Sequence, residues 1–288
     1  MLEAVPLSVI RCPACGSMTR HQHLFRKNDR NVLRCAECGL GRADAQGFDP
    51  GKYYTREYFS GGHANGYADY IDAEPILRRE FARTLQFIRR FRPGGNLLEI
   101  GCAYGFFLQE ARRDFEVSGI ELAEDAAGFC RRQGLRVLTG IADEAHLAAF
   151  GAMDVIVLLD VIEHLPAPDE TLALCARQLR PGGLIVLTTG DFASPLARMA
   201  GPRWRLMTPP QHLWFFTPAS VQRLASRLEM HVEALDRPWK LVPLSLILFQ
   251  LGRMFGASVG AMPRASRFGI PVNLFDAMRI VLRRVERA

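Results

Sequence analysis

The sequence predicts an α/β fold with a doubly wound, mostly parallel sheet, preceded by a small cysteine-bearing module. Three observations carry that expectation. Short apolar runs alternate with segments of helical period from residue 76 onward, a glycine turn directly follows the first of those runs, and two C-x-x-C pairs stand within the first 38 residues. At 288 residues, 49% hydrophobic and 23% charged, the chain can bury one full core and a smaller module, and its composition excludes disorder.

Residues 1–48 form the expected first module. Cys12-Pro13-Ala14-Cys15 and Cys35-Ala36-Glu37-Cys38 are separated by nineteen residues, and each pair is trailed by a glycine, Gly16 or Gly39. Two thiolates on each tight knuckle reach tetrahedral positions about 2.3 Å from one Zn²⁺, so the spacing predicts a zinc-ribbon held by Cys12, Cys15, Cys35 and Cys38. Four thiolates leave no open position, which makes the metal structural rather than catalytic. Four free thiols are the alternative; a redox pair would require a βαβ setting that is absent. His21 and His23 lie between the knuckles, as spare ligands or as loop histidines. The intervening strand-like segments, His21 to Phe25 and Val32 to Arg34, lack the basic, aromatic-interleaved stripe of a nucleic-acid surface. The net charge of +6 is carried mostly by scattered arginines, which permits a nucleic-acid partner without indicating one.

Residues 49–92 make an aromatic connection and a helix. Five tyrosines fall within the eighteen residues from Tyr53 to Tyr70, punctuated by glycine. A cap over a ligand cleft and packing between two domains are both compatible with such side chains. Ile76, Leu77, Phe81, Leu85 and Ile88 then mark a helix from Ile76 to Phe91 that stops before Pro93-Gly94-Gly95.

Residues 93–240 carry the ligand-binding pattern. Asn96 to Ile100 is a short apolar strand; Gly101-Cys102-Ala103-Tyr104-Gly105 follows at once, and Phe106 to Asp114 is helical. A strand, a glycine turn and a helix N-terminus cradle a nucleotide, because a bare backbone lets the ligand approach where a Cβ would collide. The spacing is G-x-x-x-G rather than G-x-G-x-x-G, which suits a nucleoside without a pyrophosphate. Glu121 ends a second strand, Val117 to Ile120, where a carboxylate can accept both ribose hydroxyls. Further strands are expected at Arg136 to Leu138, Asp154 to Leu159 and, after a helix from Glu170 to Leu179 and the turn Arg180-Pro181-Gly182-Gly183, at Leu184 to Thr188. Gly101, Glu121, Ala142 and Asp160 all fall at carboxyl ends of strands, where open α/β sheets bind ligands.

Leu98-Glu99-Ile100-Gly101-Cys102-Ala103-Tyr104-Gly105, Glu121, Asp160-Val161-Ile162-Glu163-His164-Leu165, Arg180-Pro181-Gly182-Gly183 and Gln211-His212-Leu213-Trp214-Phe215-Phe216-Thr217 are the carrying motifs of a resemblance. From about Leu85 to Arg237 the chain resembles class I S-adenosylmethionine-dependent methyltransferases, especially the group that includes the ubiquinone-biosynthesis O-methyltransferases. The resemblance implies a Rossmann-like, seven-stranded sheet and a cofactor site of Glu99, Gly101, Cys102, Ala103, Gly105, Glu121, Leu122, Ala142, Asp143, Asp160 and Val161. Within it, Glu99, Gly101 and Gly105 would line the methionine end, Glu121 the ribose, and the loop Ile141 to Asp143 the adenine. That loop often carries an acid directly after its glycine in the family; here Ile141 takes the place and Asp143 is the substitute. The ribbon is similar to that of methyltransferases of cell-surface sugar and secondary-metabolite pathways.

Methyl transfer from a sulfonium is an in-line displacement that needs alignment, exclusion of water and, for a hydroxyl acceptor, a base. The resemblance places His164 next to the methyl group, which makes it the candidate base, with a structural histidine as the alternative. His212, in the aromatic loop before a helix running from Pro218 to Leu228, is a second candidate facing the acceptor. Glu163 and His164 together suggest a divalent ion, but two ligands are too few to define a site.

Residues 241–288 are expected to be an apolar and basic helical extension. Leu241 to Gly252 is apolar but shorter than the roughly 20 residues that span a bilayer. Seven arginines against Asp276 and Glu286 follow, including Arg279-Ile280-Val281-Leu282-Arg283-Arg284. A buried helix, a homodimer contact, or a surface on an anionic membrane meeting a lipid-linked acceptor are the readings. Residues Met1 to Ile10 do not read as a signal peptide, so the expected location is cytoplasmic, with peripheral contact at the inner face of the membrane as a further reading. The function expected is O-methylation of a small molecule, sugar or glycan precursor. The competing readings are a non-catalytic ribbon adaptor that binds RNA or protein, and a nicotinamide-dependent dehydrogenase, which the glycine spacing disfavours.

Overall fold

The computed structural model describes residues 7–44, 47–59, 70–244, 247–248 and 268–285. In chain order the first elements are β1 (Leu7–Cys12), β2 (Ser17–Lys27), β3 (Arg30–Cys35), β4 (Gly41–Ala43), α1 (Pro50–Tyr53), α2 (Arg56–Phe59) and α3 (Glu74–Arg89). Next come β5 (Gly95–Ile100), α4 (Phe106–Ala111), β6 (Phe115–Glu121), α5 (Glu124–Arg132), β7 (Arg136–Thr139) and α6 (Glu144–Ala148). They are followed by β8 (Met153–Leu159), a 3₁₀ turn (Ile162–His164), α7 (Pro168–Gln178), β9 (Leu179–Gly190), α8 (Pro195–Ala200), a second 3₁₀ turn (Gly201–Arg203), β10 (Trp214–Phe215) and α9 (Pro218–Arg227). The last are β11 (Met230–Asp236), β12 (Lys240–Pro243), β13 (Gly269–Val272) and β14 (Ala277–Arg284). A mostly parallel seven-stranded sheet runs in the order β11-β14-β9-β8-β5-β6-β7, and a five-stranded sheet in the order β1-β2-β3-β4-β10.

The chain divides into two compact units, residues 49–142 with 239–273, and residues 1–48 with 143–238 and 274–288. In the first, β5, β6 and β7 are parallel, with Ile100 opposite Ile120 and Ile120 opposite Leu138. Leu97, Leu98 and Ile120 are buried, as expected of strands covered on both faces. The helix α3 packs on α4 and β12, and its Glu80 accepts the Leu241 N–H at 2.8 Å. Tyr58, Phe59 and Tyr70 are buried with Tyr104, Phe106, Ala123 and Ala126. The Phe59 ring meets Tyr104 edge-on at 5.3 Å, and Tyr70 stacks on Phe106 at 5.5 Å. The described part of the tyrosine-rich segment therefore packs on the glycine turn itself through Tyr104; residues 60–69, including Tyr67, lie outside the described residues.

In the second unit, β8 and β9 are parallel and β14 runs antiparallel between β9 and β11. The ribbon is built into this unit. Its edge strand β4 pairs with β10, Arg42 opposite Trp214 and Gly41 opposite Phe215. Val32 and Ala43 are buried with Ala197, Trp204, Met207 and Phe215. Arg11 reaches the buried Asp169 at 2.6 Å, and Arg227 donates to the Pro13 carbonyl.

Two expectations need correction. The fifth strand does not start after Pro181-Gly182-Gly183 but at Leu179, which pairs with Met153; the register shift between Met153 and Val155 accommodates the extra residues. The C-terminal extension is not helical over Lys240–Pro243, Gly269–Val272 and Ala277–Arg284, which are strands. Residues 277–284 are a strand whose Met278, Ile280, Val281 and Leu282 are buried, while Arg279 is held by Asp236 at 2.6 Å and Arg283 by Glu233. An apolar run punctuated by arginine satisfies a sheet interior once acids on the neighbouring strand neutralise the charge. The centre of the apolar run, residues 245–246 and 249–252, lies outside the described residues. No helix among the described residues is long and apolar enough to cross a membrane.

Candidate functional site

The glycine turn begins as β5 ends. Gly101 and Gly105 take φ of +72° and +73°, and Ala103 between them takes +45°. A left-handed backbone at these points folds the chain back on itself, with Gly101 N–H donating to Ile120 O and Gly105 N–H to Cys102 O, each at 2.8 Å. A Cβ on Gly105 would stand 2.6 Å from Leu135 Cδ1 and 2.8 Å from Cys130 Sγ. Position 105 therefore demands glycine on both conformational and steric grounds.

Glu121, at the end of β6, is buried and closes this turn. Its Oε2 accepts the Ala103 N–H at 2.7 Å and its Oε1 the Ala123 N–H at 2.9 Å. Each carboxylate oxygen accepts more than one hydrogen bond, so capacity for two hydroxyls remains. Burial pushes its pKa up, against the pull of the N–H groups of Ala123, Ala103 and Leu122. The third strand end is tied to the same residue, since Gly140 N–H donates to Glu121 O at 2.9 Å. The structure thus gathers Gly101 to Gly105, Glu121 to Ala123 and Gly140 to Ala142 at the carboxyl ends of three adjacent strands. Ile141 is exposed there.

Glu99 is 3% exposed, and its Oε2 has no hydrogen-bond partner among the described residues. Burial, then Cys130 and Glu121, push its pKa well above the usual glutamate range. A buried carboxyl in this condition fits a cationic ligand group, as the aminoacyl sulfonium end of S-adenosylmethionine would provide. Cys102 and Cys130 are buried beside it, with Cys130 Sγ donating to Ala103 O at 3.2 Å.

The remaining expected residues belong to the second unit. Asp143 is the N-cap of α6, its Oδ1 meeting both the backbone N and Nδ1 of His146 at 2.8 Å, and these bonds lower its pKa. Asp160 follows β8 with φ +55°; its N–H donates to Thr188 Oγ1, which in turn donates to Asp160 Oδ1. Val161 starts the turn in which His164 N–H donates to Val161 O.

His164 and His212 are brought together, with ring centroids 4.7 Å apart and planes at 70°. Each ring is oriented by a backbone carbonyl at Nδ1, Gln211 O at 2.9 Å for His164 and Leu206 O at 2.7 Å for His212. Burial lowers both pKa values, that of His212 to about 3, where the neighbouring His164 adds to the effect. The carboxylate of buried Glu163 joins them: one ligating atom from each of Glu163, His164 and His212 lies within 4.8 Å of the others.

Several residues that hold this arrangement were not evident from the sequence. Leu213 N–H donates to Glu163 O at 2.9 Å and Trp214 Nε1 to Leu165 O at 2.8 Å. The loop before them is anchored by buried Asp276, which accepts from Trp204 Nε1 at 2.8 Å and from both Nε and Nη2 of Arg205. Asp276 lies just ahead of β14, 71 and 72 positions along the chain from these partners, so no local pattern signals it.

The four ribbon cysteines converge. Cys12 and Cys38 sulfurs are 3.6 Å apart, Cys15 and Cys35 sulfurs 4.0 Å apart, and all four lie within 4.8 Å of one another. A tetrahedron with about 2.3 Å metal–sulfur bonds has edges of about 3.8 Å, so the set fits one ion. The thiols crowd one another: hydrogen bonding to Cys38 draws Cys12 down to about 5, while burial pushes Cys15 up to about 12. His21 is buried and bonded through Nδ1 to Thr19 O at 3.0 Å.

Residues 73–234 match the family model described as a methyltransferase domain. The ubiquinone biosynthesis O-methyltransferase of Azoarcus sp. (strain BH72) is 30% identical over 156 residues, 50% of this chain and 67% of the relative. That of Caulobacter sp. (strain K31) is 35% identical over 120 residues, 36% of this chain and 48% of the relative. The chain thus spans between about half and two thirds of the length of these curated relatives. Among solved structures, a methyltransferase from Archaeoglobus fulgidus shares the fold at a TM-score of 0.51 and 18% identity, covering 71% of this chain and 92% of its own. Another from Thermotoga maritima does so at 0.51 and 16%, covering 79% and 99%. With its domain matched over more than half its length and the glycine turn and Glu121 in position, this chain belongs to the class I S-adenosylmethionine-dependent methyltransferases.

Proposed function

We propose that the chain transfers a methyl group from S-adenosylmethionine to a hydroxyl oxygen of a small molecule, sugar or glycan precursor. When bound, S-adenosylmethionine supplies an electrophilic methyl on a sulfonium. The observation that carries the oxygen assignment is the pair of imidazoles at His164 and His212, both kept neutral by burial and both oriented through Nδ1. With Nδ1–H given to a carbonyl, Nε2 of a neutral ring is the nitrogen that can take a proton. The likeness to O-methyltransferases over the domain supports the same reading.

Glu121 would hold the ribose hydroxyls, Glu99 the cationic end of the cofactor, and exposed Ile141 would offer an apolar edge to adenine. At the acceptor, His164 would take the hydroxyl proton as the oxygen bonds to the methyl carbon and that carbon's bond to sulfur breaks, with S-adenosylhomocysteine as the leaving group. The four ribbon cysteines would hold a structural zinc ion, with no open position for substrate.

The test is labelling with S-adenosylmethionine carrying a deuterated methyl, added to extracts of cells with and without the gene. Label recovered in an ether of a small molecule or glycan supports the reading. Label found only on nitrogen or carbon rejects the oxygen assignment.

A further inference from the structure

We propose that the groove between the cysteine ribbon and helices α8 and α9 binds a small molecule that carries an oxyanion, a carboxylate or a phosphate, on an apolar body. The groove has a volume of about 570 Å³ and is built entirely within the unit that holds the ribbon. Sites for small ligands run to roughly 300–1,000 Å³, so the space suits one such molecule.

Its floor is apolar and left open. Leu24 and Phe25 from β2, and Phe192 after β9, pack on the buried cluster of Val32, Ala197 and Trp204, yet each keeps part of its surface exposed. Phe192 is held in place, since its N–H donates to Phe216 O at 2.8 Å and its ring stacks on Trp204 at 5.9 Å. The opposite wall is fixed as well: Thr217 caps α9 reciprocally with Ser220 and donates to Cys38 O of the second knuckle at 3.4 Å. A groove held on both sides exists before a ligand arrives, so little ordering opposes binding.

Charge selects the ligand. Arg34, two positions after Val32 and so on the same face of β3, lines the groove with Arg198 of α8, and both are exposed. Neither guanidinium has an ion-pair or hydrogen-bond partner among the described residues. By contrast, Arg11, Arg180, Arg205 and Arg237 of the same unit are each paired with a buried aspartate. No acid stands among the described lining residues, and the first turn of α9 carries none. Guanidinium groups match carboxylate and phosphate oxygens in a fork geometry. A neutral apolar ligand would leave both arginines unmatched, and a bare inorganic anion would leave the ring surfaces of Phe25 and Phe192 in water; an oxyanion on an apolar body satisfies both. Ring contacts join the floor to the histidine loop, with Phe192 5.6 Å from Phe215 and Phe215 6.5 Å from His212. Binding here requires neither the cofactor nor methyl transfer.

The test uses the intact, zinc-loaded chain in calorimetric titrations with decanoate, decyl phosphate, decanol and inorganic phosphate, each kept below its aggregation limit. One decanoate or decyl phosphate per chain is expected, the tighter of the two naming the head group, with decanol and inorganic phosphate at least 10-fold weaker. Arg34→Gln and Arg198→Gln should each weaken the amphiphile at least 10-fold while zinc content and S-adenosylhomocysteine binding stay the same. Ala193→Trp, which sets a large ring on an exposed lining position, should do likewise without changing the charge. Magnetisation transfer from the ligand's methylenes to the rings of Phe25 and Phe192 in the unaltered chain is the second readout and needs no variant. No binding of either amphiphile at millimolar concentration, equal binding of decanol, or binding indifferent to both arginine substitutions would each overturn the site. So would a dimer in sedimentation that the same substitutions dissolve, because the groove would then belong to a second copy of the chain.

Discussion

Leu213 donates its backbone N–H to the carbonyl of Glu163 at 2.9 Å, and this one bond joins the turn after β8 to the loop before β10. It explains how His164 and His212, far apart in the chain, come to stand edge to face. The ring orientations are then set by carbonyls rather than by other side chains, which preserves the arrangement before any ligand arrives.

Replacing His164 by Ala is predicted to cut kcat by about 100-fold or more, the usual range for loss of an acid–base group. Calorimetric affinity for S-adenosylmethionine should be unchanged. An unaltered kcat would remove His164 from the chemistry.

Glu99 makes stability depend on pH in a defined direction. A carboxyl whose pKa is raised by folding binds more protons folded than unfolded, so its contribution is complete below the usual glutamate value and declines as pH rises above it. Glu99→Gln removes that decline. The Tm of the variant relative to the parent should therefore increase from pH 5 to pH 9 in the absence of cofactor; a difference constant with pH would contradict the assignment.

Gly105→Ala forces a left-handed backbone on alanine and a contact with Leu135 and Cys130. Strain of this kind costs about 1–3 kcal/mol. Chemical denaturation should show a loss in that range, together with weaker cofactor binding; a variant as stable as the parent would mean that the turn adopts another conformation.

Cys35→Ser should bring zinc below one ion per chain and loosen the ribbon. Because Ala43 N–H donates to Leu213 O at 2.9 Å and β4 pairs with β10, the loosening is predicted to spread to residues 212–216. Hydrogen exchange there should accelerate at least 10-fold. Unchanged exchange in that segment would show that the ribbon does not support the histidine loop.

Much of this fold was legible in the sequence because the signals were local. The run from Leu97 to Gly105 specifies a strand, a turn and a helix start within a dozen residues, and the two cysteine knuckles specify their own convergence. In the sequence alone, strand β14 looks like part of a helical or membrane-facing tail, because its arginines resemble a basic flank until Asp236 and Glu233 are seen on the adjacent strand. The start of strand β9 is hidden in the sequence because Pro181 and the two glycines look like a turn, whereas a register shift absorbs them. The meeting of His164 with His212, and the anchoring of the loop by Asp276, depend on pairings between distant segments that no periodicity records.

The most direct test of the account is calorimetric titration of the purified chain with S-adenosylmethionine, beside Glu121→Ala. One molecule bound per chain, with the variant weakened at least 10-fold by loss of a buried charged acceptor, is the predicted result. Absence of binding by the parent, or equal binding by the variant, would contradict it.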